Sequence, residues 1–576
     1  MSWLVRVAFL CVLCISVVKV FAVDREAFTF TSYDLTVRIE PDQHRLGVRG
    51  KITLRNDSPT PQKIAVLQIS SSLDWRAIKS GDKPLPFVSQ TYTSDIDHTG
   101  ALSEAIVTLP EPVAPKAAID LEIAYEGVIV LDATRLTRIG APDAQANSSD
   151  WDQITPQFTA VRGAANVAWY PIATEAADLA ETNSLSNVLA SWRGRELNAS
   201  MEIAFSSPMM ESDASPPPTF LCDGTETGAA TSGVAPKWLV TKCSYPALGR
   251  SSPTFLSAGY QLLAGASLNV YSLPGHEAAA ANFAAAAEKA APFISEWFGK
   301  MRAKAQTADL ADPSAAPFES GRLLLTPLAS LDPKLAGMIA AHQLTHAAFF
   351  SPRPWIDEGL AHFAQALYLE HEKTRQAALD YMGLHRSAFS AAQEQTTVPR
   401  SEDEVNRSLV NTTDEALYRS KAMYVWWMLR DMLGDAALKK ALAAYKPSDD
   451  KEPSYMPRLI QSQTQRDLEW FFDDWVYRDR GLPDFKISSA FPRKTLTNNY
   501  MLTVTVENLG GAGAEVPVTV KYAGGEVTRR LEVHGKDKAS IRIEVPAAPQ
   551  EVTVNDGSVP ESDMTNNTFK IEAEAK

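Results

Sequence analysis

The chain changes hydrophobic period twice, and this limits its architecture more than any other feature. From Phe28 to about Tyr260, "YDLTVRIEP", "GVRGKITLRNDS", "AIDLEIAYEGVIV" and "NASMEIAFSSP" place apolar residues at every second position between turn residues. That is the period of half-buried strands, so a large antiparallel β domain is expected, with "SPPPT" at 215–219 as a loop. The alanine-rich "HEAAAANFAAAAEKAAPFISEWFG" then reads as a long helix, and from Asp332 to Asp479 the pattern is mainly helical with short joints. After "YRDRGLPDF" alternation returns, in "YMLTVTVENLG", "AEVPVTVKYAGG" and "ASIRIEVP", as a small Ig-like β-sandwich would require. The expectation is therefore a multidomain α+β protein: a leader at 1–22, an N-terminal β domain at 23–265, a mostly helical domain at 266–482 and a β-sandwich at 483–576.

A chain of 576 residues suits several cores rather than one. Its 45% hydrophobic and 22% charged residues are ordinary globular values. The formal charge of −14 argues against nucleic acid as a partner, because phosphate binding needs a basic face.

The start, "MSWLVRVAFLCVLCISVVKVFAVD", has one arginine, an apolar run from Val7 to Val18 and then "VFA", with small residues at the usual cleavage positions. It reads as a secretory signal cut after Ala22, with an uncleaved anchor as the alternative. Export to the periplasm or the outside is expected, with no stable membrane span in the mature chain. Cys222 and Cys243 are the mature chain's cysteines, and in an oxidising compartment they are expected to be joined; two buried free thiols are the alternative.

The chemistry concentrates in "AAHQLTHAAFFSPRPWIDEGLAHF", residues 340–363. Asp332 followed by Pro333 is a helix start, with a capping side chain and a ring pre-set for the first turn. The helix should run to just before Pro352, which puts His342 and His346 on one face at i and i+4. A second helix from about Pro354 carries Glu358 one turn in. If the joint folds the helices together, two imidazoles and a carboxylate come level, the ligand set of a catalytic zinc with one open position. Two satisfied histidines on an amphipathic helix would be the reading of the pair alone. His362, one turn beyond Glu358, is either a group supporting a ligand or a polar surface residue.

"HQLTH" followed by "WIDEGLAHF" resembles the gluzincin signature of the aminopeptidase N family. "YDLTVRIEPDQHRLGVRGKITLRNDS", "FISEWFGK", "YRSKAMYVWWMLRDMLGD" and "DLEWFFDDWVYRDRGLPDF" resemble further segments of that family in order. The resemblance implies a thermolysin-like helical domain, His342, His346 and Glu358 as zinc ligands, and a peptide or protein substrate. It also implies Tyr418 as the hydroxyl that stabilises an oxyanion.

Three departures qualify it. The interval from His346 to Glu358 is shorter than in the typical aminopeptidase. The family's G-x-M-E-N strand, whose glutamate grips the substrate's free amine, is not evident; in "PFESGRLLLTP" Glu319 is the candidate for that substrate-binding role. Position 343, where the catalytic glutamate belongs, is Gln343, which cannot take a proton from water at ordinary pH. A zinc peptidase working slowly or with another base, an inactive relative that keeps peptide or metal binding, and an envelope scaffold all fit. If Gln343 alone disables the chain, Gln343→Glu is expected to restore activity.

Overall fold

Strands Phe28–Glu40 and Arg45–Asn56 pair antiparallel at the centre of an eight-stranded sheet. In the first of them Tyr33, Leu35, Val37 and Ile39 are buried while Asp34, Thr36 and Arg38 between them are exposed, as the two-residue period demands. The computed structural model describes residues 23–208, 218–232, 237–394 and 407–571. The leader at 1–22 and most of the 215–219 loop lie outside the described residues.

Strand Ser200–Pro208 lies parallel to Phe28–Glu40, so the large sheet is mixed rather than purely antiparallel. Alternation reports which face a residue occupies and carries no information on strand direction, which is why the sequence expectation was simpler. The sheet packs over a core that includes Tyr33, Trp169, Tyr170 and Trp192. Trp192 and the half-buried Arg193 come from helix α1, Ser184–Glu196.

The central region, expected to be mostly helical, opens with a five-stranded sheet. Its order is Gln261–Ala264, Leu268–Ser272, Ala305–Asp309, Leu323–Thr326 and Phe318–Ser320. The first two strands form a hairpin across the expected boundary at 265. The middle pairs are parallel, and Phe318–Ser320 closes the edge antiparallel to Leu323–Thr326. Buried parallel strands show continuous apolar runs such as "LLLT", not alternation, and so resemble helix at this length.

Helices α2 (Glu277–Phe298), α3 (Pro333–Ala348), α4 (Pro354–Glu372) and α5 (Arg375–Glu394) follow. The start of α3 is fixed as its sequence requires: Asp332 accepts a hydrogen bond from the Lys334 amide at 2.9 Å and Pro333 takes the first helical position. A short π-helical segment, Ala416–Lys421, leads into α6, Ala422–Leu433. A Cβ on Gly359 would lie 2.7 Å from the Ala422 Cβ, so only glycine lets α4 approach α6 this closely. Trp355 and Trp426 stack beside it, ring centres 5.2 Å apart.

Residues from Phe485 onward form two sheets, of three and four strands, around Val504, Val518 and Val552. This core is continuous with that of the helices. The Trp475 indole donates to the Gly513 carbonyl at 2.7 Å across the junction.

Candidate metal centre and cleft

The joint between α3 and α4 is held by polar side chains at its turn. Ser351 exchanges a hydrogen bond with the Tyr445 hydroxyl at 2.8 Å, and Tyr445 and Arg353 both donate to Asp450, at 2.6 and 2.7 Å. Asp357 accepts from the Ser351 amide at 2.8 Å. Folded this way, the two helices bring the predicted histidines and glutamate together.

His342 Nε2 and His346 Nε2 lie 3.3 Å apart. Donors about 2.0–2.1 Å from a tetrahedral zinc are themselves separated by about 3.3–3.4 Å, so both nitrogens are placed to share one ion. Glu358 offers one oxygen 4.0 Å from His342 Nε2 and the other 4.0 Å from His346 Nε2. Glu319, on the edge strand Phe318–Ser320, is nearer still to one histidine, its Oε2 3.0 Å from His342 Nε2. Among the described residues the compact donor set is therefore Glu319, His342 and His346, with ligand atoms within 4.8 Å of one another. Glu319 Oε1 and His342 Nδ1 are buried with no hydrogen-bond partner among the described residues. Two unsatisfied polar atoms beside facing imidazoles are what a metal centre with its ligand water and substrate groups would complete.

The charges respond to one another. Burial raises the Glu319 carboxyl, but the His342 imidazole beside it more than offsets this and the net shift is downward. Burial likewise opposes ionisation of Glu358, and Arg419 followed by the histidines drives it well below the usual carboxylate range. His342 is lowered by burial and raised further by Glu319 and Glu358, ending above its ordinary value. Burial and then His342 hold His362 well below its ordinary value, so a neutral ring stands 4.9 Å from that of His342. His362 is half-buried against the His342 ring rather than standing free on the surface.

Asp357 and Arg419 are the neighbours that sequence reasoning missed. Asp357 Oδ2 lies 3.6 Å from His346 Nδ1, behind the ring, where a carboxylate favours the tautomer that frees Nε2. The signal was present in "WIDEGLA", one position before Glu358. Arg419 Nε donates to Glu358 Oε2 at 3.2 Å and Nη1 to Glu415 at 2.8 Å. Tyr418, beside it on the π-helical segment, is 7% exposed. Burial raises its hydroxyl above the ordinary phenol value.

Gln343 is buried, and its amide faces the sheet. Its side-chain oxygen accepts from the Thr307 hydroxyl at 2.8 Å. Its nitrogen donates to the Gln306 and Arg322 carbonyls, the latter at 3.2 Å. Both amide hydrogens and the carbonyl are thus committed to strand Ala305–Asp309 and the turn before Leu323–Thr326. Cys222 and Cys243 are joined in the structure. No described helix is long and apolar enough to cross a membrane.

The two histidines, Glu319, Glu358 and the side chains around them line one cleft of about 780 Å³ between the N-terminal β region and the helices. Its walls carry Arg193 and Arg250 from one side and Glu319, His342, His346, Glu358 and Tyr418 from the other.

Two solved structures are similar to this chain: an M1 zinc metallopeptidase from Deinococcus radiodurans and a mutant of it. Each is 16% identical with a TM-score of 0.46 and covers 80% of this chain; the match spans 95% of the first and 96% of the mutant. No protein-family model matches the chain, and no curated protein matches it.

Proposed function

We propose that this chain is an exported, zinc-binding, peptidase-like protein that binds peptides in the cleft and hydrolyses them weakly or not at all. The observation that carries the reading is the 3.3 Å approach of two histidine Nε2 atoms, with Glu358 presenting one oxygen to each at 4.0 Å. His342, His346 and Glu358 would hold the zinc. Glu358 is preferred to Glu319 as the third ligand because it addresses both nitrogens from a rigid helix, whereas Glu319 touches only His342. Bound zinc would polarise a peptide carbonyl and acidify a water.

The chain's own residues then divide the remaining work. Asp357 orients His346, Tyr418 is the donor toward a developing oxyanion, and Glu319, with one oxygen unpartnered, is the acceptor for a substrate ammonium group. The weakness of hydrolysis follows from Gln343, which has no basic atom and whose amide is spent on the sheet. That engagement favours the catalytically inactive peptide-binding or partner-binding scaffold as the second reading. Elemental analysis of purified protein, together with a peptide library containing free and blocked N-termini, tests both. One zinc per chain with slow or absent cleavage is expected; no zinc after reconstitution would overturn the metal reading, and rapid cleavage would overturn the assigned weakness.

A further inference from the structure

Arginines buried elsewhere in this chain are paired with carboxylates. Arg135 makes two contacts with Asp150, at 2.7 and 2.6 Å, and Arg162 is similarly bound to Asp152 at 2.6 Å. Two arginines on the cleft wall differ. Among the described residues, no carboxylate comes within ion-pair distance of Arg193 or Arg250, although both line the cleft. Among the described residues Arg193 makes one side-chain hydrogen bond, from Nη2 to the Ser252 hydroxyl at 2.8 Å, and its buried Nε has no partner. Arg250 holds its guanidinium 5.8 Å from the centre of the Tyr418 ring, and Arg419 sits at the same 5.8 Å from that ring.

Both arginines are half-buried, and guanidinium donors partly desolvated without a counter-charge are unfavourable, so such a pair in a cleft is suited to a ligand that supplies the acceptors. A guanidinium fork matches a carboxylate in geometry as well as charge. The pair also stands out against a chain whose formal charge is −14, which would otherwise repel an anion. Burial, and after it the neighbouring Arg250, push Arg193 below its ordinary value, the direction expected of cations lacking a counter-charge.

We infer that Arg193 and Arg250 form a recognition site for a carboxylate of the bound peptide, opposite the candidate metal centre. This rests on the peptide-binding reading above. Tyr418 lies between the two sites in contact order: Arg250 and Arg419 both hold their guanidiniums 5.8 Å from its ring centre, and Arg419 is bound to Glu358. An extended residue spans about 3.5 Å, so a short peptide held at the histidines brings a carboxylate only a few residues away to the arginines. The carboxylate is either the C-terminus of a short peptide or an acidic side chain within a longer one.

The test is calorimetric binding to the full-length mature, zinc-loaded protein. Four peptides of one length are compared: free or amidated at the C-terminus, each with either Glu or Gln as the internal side chain. The wild type is expected to bind at least one carboxylate-bearing form about tenfold more tightly than the amidated Gln peptide. The arm that shows the preference identifies the source of the carboxylate. Arg193→Gln with Arg250→Gln is expected to reduce that preference to within twofold while zinc content stays at the wild-type level, and Arg250→Lys to keep part of it. In the wild type alone, the preference should also shrink as salt rises. Equal binding of all four peptides, or a preference that survives the double substitution, overturns the arginine site and leaves the peptide-binding reading intact. Failure of all four to bind overturns both.

Discussion

The Thr307 hydroxyl donates to the side-chain carbonyl of Gln343 at 2.8 Å, and the nitrogen of the same amide donates to two main-chain carbonyls. A residue that by sequence occupies the place of a catalytic base is, in the fold, a tie between α3 and the sheet. A glutamate there would turn two donor contacts into carboxylate facing carbonyl oxygens. Gln343→Glu is therefore expected to lower stability by about 1–3 kcal/mol in urea unfolding, the cost of leaving buried polar groups unsatisfied. It should not deliver the rescue that the sequence pattern alone suggests. An unchanged unfolding midpoint with a gain of about 10²-fold or more in peptide hydrolysis would show that the new carboxylate reaches the attacking water.

Zinc is expected to stabilise the chain by mass action, because the ligands proposed for it come from two helices that meet only in the folded state. Adding a chelator should lower the melting temperature of wild-type protein. His342→Ala should remove the bound zinc and, with it, the chelator's effect. A variant that still carries one zinc per chain would place the metal elsewhere.

The Cys222–Cys243 bridge closes a loop with a sequence separation of 21. Chain-entropy reasoning gives such a link about 3 kcal/mol. Replacing both cysteines by alanine should lower the unfolding free energy by that order. Peptide mapping under non-reducing conditions that recovers two free thiols in exported protein would contradict the link.

Asp223, next to that bridge, accepts hydrogen bonds from Tyr245 at 2.5 Å, the Thr254 amide at 2.9 Å and Ser320 at 2.6 Å. Burial nevertheless pushes its carboxyl up from 3.8 to about 6. The folded chain thus retains a proton that the unfolded chain has released. This stabilisation is complete below about pH 4 and is lost as pH rises to about 6, a change of at most about 3 kcal/mol. Asp223→Asn should remove that part of the slope, so its stability relative to wild type improves between pH 4 and pH 6.5. Parallel stability curves over that interval would refute the assignment.

What sequence showed and what it hid follow from how each feature is encoded. His342, His346 and the Asp332 cap are local patterns, readable at i, i+4 and at a helix start. Glu358 is legible because the joint between its helix and the histidine helix is short. The sheet that carries Glu319 is hidden, since its strands are three to five residues long and several are buried on both faces. Arg193 and Arg250 come from segments far from the histidines, and no spacing rule connects them to the site. Gln343 has a visible identity but an invisible role: only the strands beneath it reveal that its amide is already engaged.

The contact between Asp223 and Ser320 bears on how this protein can be taken apart. Ser320 is the residue after Glu319 on the edge strand, and Asp223 belongs to the preceding β region, so the strand bearing Glu319 hangs partly from a neighbour. A fragment restricted to residues 266–482 would keep both histidines and Glu358. It would lose the anchor for one wall and both arginines on the other. The cleft cannot be transplanted as a module: it exists only where two regions of the same chain close on each other.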